Sequence, residues 1–318
     1  MKPELKRVAS RQGGVFSRDQ AMNAGYSPEQ IRERLAAGRW ERLRRGQYTE
    51  HVELDALPPW ERAVHHHRRL IHAAVNSMRA GSAVVSHYSA LVLHGIPVWD
   101  VDLTEVQLTR TTTERCGRKA GVRHHQAELT PADVTEIEDV AVTSAARAVV
   151  ETASTASLET AVVSADAAFR RPDVTSAELR RLLAVTECWP GGPSIRFAVA
   201  FANPLAESVG ESLLRVLMHN EGLPQPVLQA VFHDDQGLIG RVDFYFPEYD
   251  TIVEFDGMIK YGAGSTESLI REKLREDRLR ELGLQIVRIK WEDLQHPART
   301  AMRIRKAFAR ARRTTIAS

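Results

Sequence analysis

Two short segments of this chain, Arg241-Val-Asp-Phe-Tyr-Phe246 and Thr251-Ile-Val-Glu-Phe-Asp256, carry carboxylates at a spacing that could hold a divalent cation. Val242, Phe244 and Phe246 alternate with Arg241, Asp243 and Tyr245. Beyond a turn at Pro247–Asp250, Thr251, Val253 and Phe255 alternate with Ile252, Glu254 and Asp256. Period-two alternation around a Pro/Asp-containing turn predicts a β-hairpin. A loop over Glu248–Tyr249 or over Pro247–Asp250 gives the same register, with Asp243 opposite Glu254 and Arg241 opposite Asp256. Directly opposed Cβ atoms lie about 5 Å apart, and like charges there are destabilising. At least one of the two acids should then hold its proton more tightly than usual. A Mg²⁺ (or Mn²⁺) ion shared by both carboxylates would relieve the repulsion, since such ions take oxygen ligands. A solvated strand face, on which the two acids repel weakly through water, is the other reading. A three-residue loop would shift the register by one.

The elements that must position these acids follow a recognisable order. Pro204–His219 reads as a helix with Leu205, Val209, Leu213, Val216 and Leu217 on an apolar stripe and Glu207 and Glu211 one turn apart. A strand near Val227–Phe232, the acidic hairpin, and a loop holding Gly257 and Lys260 come next. Glu267–Leu282 reads as a charged helix, Leu284–Lys290 as a strand, and Pro297 to about Arg313 as a basic last helix. On Gly210-Glu-Ser212, Arg241-Val-Asp243, Val253-Glu-Phe-Asp-Gly257, Lys260, the Glu272…Asp277 helix and Gly283…Arg288, residues 207–294 resemble the PD-(D/E)XK nuclease fold, in the branch of very-short-patch repair endonucleases. That resemblance implies Asp243 and Glu254 as metal ligands; Asp256, next along the strand face, is expected as a further oxygen donor to the metal. It implies Glu211 as the helix acid of a catalytic set, and Mg²⁺ or Mn²⁺ as cofactor. One departure stands out: Asp256 occupies the position where the family pattern has Lys. Lys260, Lys273 or Lys290 would have to supply the missing cation, or Asp256 only pairs with Arg241.

Residues 1–50 hold eleven Lys/Arg and six Asp/Glu, a surplus of five positive charges in a chain whose net charge is +2. The last stretch, from Gln295, has seven Lys/Arg and no acid. Basic ends on a near-neutral chain point to a polyanion such as DNA. Ser17-Arg-Asp-Gln20 and Ser27-Pro-Glu-Gln30 are capping-box starts, the second strengthened by Pro at the first helical position. Trp40–Thr49 reads as a hairpin turning at Arg45-Gly46. Helix, helix, turn, helix, hairpin is the order of a winged helix-turn-helix, in which the third helix enters the major groove. Through Gln12-Gly-Gly-Val-Phe-Ser17, the Gly25…Ile31 stretch and Gly38-Arg-Trp…Gly46-Gln-Tyr48, residues 4–50 are similar to the N-terminal domain of AbiEi-type antitoxins of type IV toxin–antitoxin systems. The resemblance implies repression of an operon through Gln30, Arg32 and Arg34 on the third helix and Arg42, Arg44 and Arg45 on the wing. It also implies a nucleotidyltransferase-type toxin as partner.

At 318 residues and 43% hydrophobic content, the chain supports two or three cored domains. No run of eighteen apolar residues and no signal-peptide pattern occurs, so a cytoplasmic location and no membrane partner are expected. Cys116 and Cys188 read as buried small residues. Between residues 55 and 200, strands are expected at Val106–Arg110, Val122–His125 and Val140–Thr143. Helices are expected at Ser86–His94, Ser144–Ala153, Ser157–Arg170 and Ser176–Ala184. His65, His66 and His67 point in different directions around a helix and read as surface; His87 and His94 read as core histidines. This region resembles the middle of AbiEi-like proteins in Val85-Ser-His-Tyr-Ser-Ala90 and Val142-Thr-Ser-Ala-Ala-Arg147. Cys188–Ser194 is the expected linker.

The expected fold class is therefore α+β and multidomain. A winged helix-turn-helix spans 1–52, a mixed α/β domain 53–200, and a PD-(D/E)XK (restriction-endonuclease-like) α/β domain 201–318. Three functions compete: a metal-dependent DNA endonuclease, an antitoxin-type transcriptional repressor with a non-catalytic nuclease frame, and a chain whose C-terminal domain only mediates oligomerisation. The oligomeric state is not readable from the sequence.

Overall fold

Two serine caps fix the start of the chain. The computed structural model describes the backbone of residues 1–111, 116–187, 189–257 and 266–316, and the side chains of these except 266–269 and 312–316. Helices α1 (Pro3–Ser10), α2 (Arg18–Asn23) and α3 (Pro28–Ala36) and strands β1 (Val15–Ser17), β2 (Trp40–Arg44) and β3 (Gln47–Glu50) form the first fifty residues. Both expected capping boxes close: Gln20 and Gln30 donate their backbone N–H to the hydroxyls of Ser17 and Ser27, and their side chains accept from the serine N–H groups. These reciprocal bonds satisfy donors that a helix start leaves orphaned. The strands form an antiparallel sheet in the order β1-β3-β2. Leu5, Phe16, Tyr26, Ile31, Trp40 and Tyr48 pack as its core.

The chain divides into two compact units, Met1–Ser164 with Arg171–Ala200, and Ala165–Arg170 with Phe201–Ser318. Within the first, α4 (Pro59–Asn76), β4 (Ala83–Val85), α5 (His87–Leu93), β5 (Val106–Arg110), β6 (Gly117–Lys119), β7 (Val122–Gln126), β8 (Val134–Ile137), β9 (Val140–Thr143) and α6 (Ala145–Ala153) follow. Six of these strands form a mixed sheet ordered β6-β7-β5-β4-β9-β8. Helices α7 (Leu158–Phe169), α8 (Ser176–Val185) and α9 (Gly192–Phe201) come next. The expected linker is in part the start of α9, and Cys188 lies outside the described residues. Cys116 is exposed, against expectation, at the start of the fully exposed strand β6.

The second unit holds α10 (Val209–Asn220), β10 (Val227–Asp234), β11 (Gly237–Phe246), β12 (Thr251–Asp256), α11 (Thr266–Glu281), β13 (Gln285–Lys290), α12 (Trp291–Leu294) and α13 (Pro297–Ile316). Its sheet runs β10-β11-β12-β13, antiparallel until β13 joins β12 in parallel. Phe244, Phe246, Val253 and Ile289 pack with Leu214, Ile304 and Phe308 in one core, and Ile252 with Leu279 and Leu284 in another. Alternate residues of β12 thus serve two faces, as a pleated strand requires. The architecture is mixed α/β and multidomain, with three sheets among the described residues. No helix of the described residues is long and apolar enough to cross a membrane.

Candidate functional site

Arg18, Arg32, Arg42 and Tyr48, with the apolar Pro28, Ile31 and Leu35, line an open concavity of about 420 Å³ in the N-terminal domain. Three elements converge there because Ser17 and Ser27 fix where α2 and α3 begin, and Gly46, at φ +74°, turns the β2–β3 hairpin. No acid lines the concavity. Glu29 holds Arg32 at 2.6 Å, but Arg32 is 73% exposed, so that pair is weak and exchangeable for another anion.

The six residues expected on DNA divide. Arg32, Arg42 and Arg45 are exposed. Gln30 is exposed too, but its side-chain oxygen is committed to the Ser27 cap. Arg34 is not outward as expected: its guanidinium lies 5.0 Å and 5.3 Å from the ring centroids of Tyr26 and Trp40. A guanidinium over two aromatic faces gains cation–π attraction and is less free to meet phosphate. Arg44 is half-buried, and burial lowers its pKa. Arg18 was missed; a basic residue directly after a capping serine was its available signal.

In the C-terminal unit, the β11–β12 register pairs Phe244 with Val253. Continued by one residue, it faces Asp243 with Glu254, as the sequence predicts. Asp243 accepts the Phe255 N–H at 2.8 Å. Burial first, then repulsion from Glu211, Glu254 and Glu207, pushes its pKa up to about 6 against that hydrogen bond. Desolvation, more than the opposed acid, is therefore the main cause. Arg241 reaches Glu207 at 2.8 Å, whereas Asp256 sits beside Lys290 in the parallel ladder. The leading helix starts later than expected, at Val209, because Ser208 caps it. Glu211, buried at 7% exposure, accepts from the Ser208 hydroxyl, the Glu207 N–H and the Gln229 amide. It closes the start of its own helix.

Glu254 is held by arginines. Arg275 on α11 donates to it at 2.7 Å and Arg288 on β13 approaches its other oxygen at 3.8 Å. Glu272 bridges the same two guanidiniums, and Glu276 meets Arg288 at 3.0 Å. Lys273 is exposed, and no contact joins it to Glu254; Lys260 lies outside the described residues. Arg275, which sequence reasoning missed by seeking a lysine, stands where the expected cation would be needed. Among the described residues, no three His, Cys, Asp or Glu are grouped to hold a metal ion. With Glu254 engaged by Arg275 and Glu211 by three donors, these residues do not fit a Mg²⁺ or Mn²⁺ ion in this arrangement.

In the middle of the chain, His65 and His66 are exposed, but His67 is fully buried against expectation. Its ring nitrogens meet the Leu103 carbonyl at 2.6 Å and the Ser89 hydroxyl at 2.9 Å, and burial lowers its pKa to about 4. His94 is a satisfied histidine, its Nε2 on the Thr143 carbonyl at 2.8 Å.

Residues 3–51 match the family described as transcriptional regulator, AbiEi antitoxin, so the chain opens with an AbiEi antitoxin-family domain. Two curated Mycobacterium tuberculosis proteins resemble most of the chain. Uncharacterized protein MT2308 (strain CDC 1551 / Oshkosh) and uncharacterized protein Rv2248 (strain ATCC 25618 / H37Rv) are each 31% identical over 241 residues, covering 76% of this chain and 86% of their own length. The chain belongs to the family of these mycobacterial proteins. The crystal structure of RV2827C protein from Mycobacterium tuberculosis aligns at 12% identity over 74% of this chain and 90% of that one, with a TM-score of 0.39.

Proposed function

We propose that the chain is a DNA-binding transcriptional regulator of the AbiEi antitoxin type, in which residues 1–52 act as a winged helix-turn-helix. The observation that carries this reading is the acid-free concavity of Arg18, Arg32 and Arg42 between the capped helix α3 and the β2–β3 hairpin. Guanidiniums converging beside a helix suit phosphate oxygens, which fix a protein's register on a duplex. Arg45 at the hairpin turn extends the basic edge, as a wing would. By the same family resemblance, the protein partner is a cognate toxin of nucleotidyltransferase type.

In this reading residues 201–318 form a nuclease-like frame of the PD-(D/E)XK order that does not cut. The order of α10, three antiparallel strands, α11 and a parallel strand supports the frame. Arg275 on Glu254 argues against metal-assisted hydrolysis.

The test is binding of the full chain to duplex DNA from upstream of its own gene, measured across a range of salt concentrations. Arg18→Ala, Arg32→Ala and Arg42→Ala should each weaken binding and lower the log–log salt slope by about one. Unchanged affinity and slope in the triple variant would remove this reading. Cleavage of the duplex that needs Mg²⁺ and is lost in Glu254→Gln would restore the nuclease.

A further inference from the structure

In the first unit, a cavity of about 300 Å³ is lined by His87, His125, Gln126, Glu151, Ser154 and Trp189 among others. Its size lies at the lower end of small-molecule sites. The DNA-binding reading makes no use of it, and the residues that build it are costly to place. His87 sits at φ +52°, a left-handed conformation that a histidine rarely adopts. That backbone is held by its N–H bond to the fully buried carboxylate of Glu151 at 3.2 Å. The imidazoles of His87 and His125 stack with centroids 3.7 Å apart and planes 20° from parallel.

The hydrogen-bond network sets which nitrogens are offered. The Gln107 amide donates to the Tyr88 hydroxyl at 2.6 Å, so its oxygen is the acceptor for His125 Nε2 at 2.7 Å. His125 therefore carries its proton on Nε2 and leaves Nδ1 as a lone pair. His87 Nδ1 lies 3.0 Å from the Ser86 hydroxyl and 3.9 Å from Glu151, which favours the proton there and a lone pair on Nε2. Burial holds both imidazoles neutral.

The chemistry of the occupant follows. No Lys or Arg lines the cavity, the Arg147 guanidinium that lies 5.2 Å from the Trp189 ring centroid is already paired with Glu151, and Ser154 caps the carbonyl end of α6, so an anion is disfavoured. The oxygens of Glu151 are already taken by Arg147, Thr143 and the His87 N–H, so a free cation gains little. Nearly parallel rings 3.7 Å apart keep their in-plane lone pairs in separate planes, so the two do not converge on one ion. Two acceptor nitrogens beside the flat ring of Trp189 suit a planar partner with N–H donors.

We propose that this cavity binds a small, uncharged, planar heterocycle bearing N–H donors, of the aminopurine or aminopyrimidine class. Its N–H groups bond His87 Nε2 and His125 Nδ1, and its ring lies against Trp189. Because the site shares no residue with the arginine concavity, it stands whether or not that concavity binds DNA.

The experiment is isothermal titration calorimetry of the full chain with adenine, cytosine, benzoate, inorganic phosphate and Zn²⁺. It is repeated on His125→Leu, Trp189→Phe and, as a control in the arginine concavity, Arg42→Ala. Adenine or cytosine should bind once per chain, at least tenfold more weakly in His125→Leu and in Trp189→Phe, and unchanged in Arg42→Ala. No binding of either heterocycle at millimolar concentration would overturn the proposal, as would binding that survives both cavity substitutions. Tighter binding of benzoate, phosphate or Zn²⁺ would overturn it too. If His125→Leu does not fold, Trp189→Phe decides, since Trp189 is only half-buried.

Discussion

Asp243→Asn should stabilise the C-terminal unit at pH 8 and lose that advantage at pH 4. The carboxyl of Asp243 is pushed from an ordinary 3.8 up to about 6 by burial and by Glu211, Glu254 and Glu207. The folded state therefore holds this proton more tightly than the unfolded chain. Below pH 3.8 both states carry it and nothing is lost. As pH rises to about 6 stability falls, and above 6 the whole penalty is present. At 1.36 kcal/mol per pH unit, that interval corresponds to roughly 3 kcal/mol. Asparagine removes the charge and keeps an oxygen for the Phe255 N–H, although a neutral acceptor is weaker by about 1 kcal/mol. The net expectation is about 2 kcal/mol of stabilisation at pH 8. Urea unfolding at both pH values measures it, with hydrogen exchange of the β11–β12 peptides assigning the change to this unit. A variant less stable than wild type at pH 8, or one whose advantage is the same at both pH values, would refute the reasoning.

Arg275→Ala removes a partner of Glu254 and Glu272 at a position 21% exposed, so thermal melting should show a loss of about 1–2 kcal/mol after discounting for solvent. Added Mg²⁺ should raise the melting temperature of that variant and leave wild type unmoved; the reverse would mean that Arg275 does not stand in the cation's place. Gly210→Ala should cost 2 kcal/mol or more by urea unfolding, in the range for forced overpacking, since its Cβ would come within 1.9 Å of the Phe255 ring. Phe255→Leu should recover part of that loss, and a neutral Gly210→Ala would show that the helix start is not packed on Phe255.

Much of the fold was legible where local chemistry decides it. Ser17 and Ser27 announce their helices because the cap and the glutamine three residues on satisfy each other. The acidic hairpin was legible through its alternation and its turn, in which Asp250 takes the left-handed conformation at φ +40°. Strand β8 was not, because its turn into β9 uses Glu138 and Asp139 at φ +52° and +61°, with no Gly or Asn to mark positive φ. His67 was misread because periodicity places three adjacent histidines around a helix without saying which side is covered. The His87–His125 cavity was invisible, since its residues come from α5, β7, α6 and the turn before α9, and only tertiary packing joins them.

The candidate site shows the same division more sharply. Opposed acids can be inferred from a hairpin register, and so can the rule that their repulsion must be relieved. The means of relief cannot, because a metal ion, a proton, a guanidinium and a set of N–H donors all answer one electrostatic demand. Here each carboxylate is relieved differently. Asp243, its pKa pushed up to about 6, takes the Phe255 N–H and a proton only in mild acid, Glu254 takes the guanidinium of Arg275, and Glu211 takes three hydrogen-bond donors. A divalent ion would have to displace all three arrangements at once to gather these acids. Arg275 also fixes where α11 lies, together with Arg278 on Asp234 at 2.5 Å and Leu279 in the core beneath it. A rearrangement that freed Glu254 for a metal would therefore remove one of the contacts that dock that helix, leaving Arg278 and Leu279 to hold it.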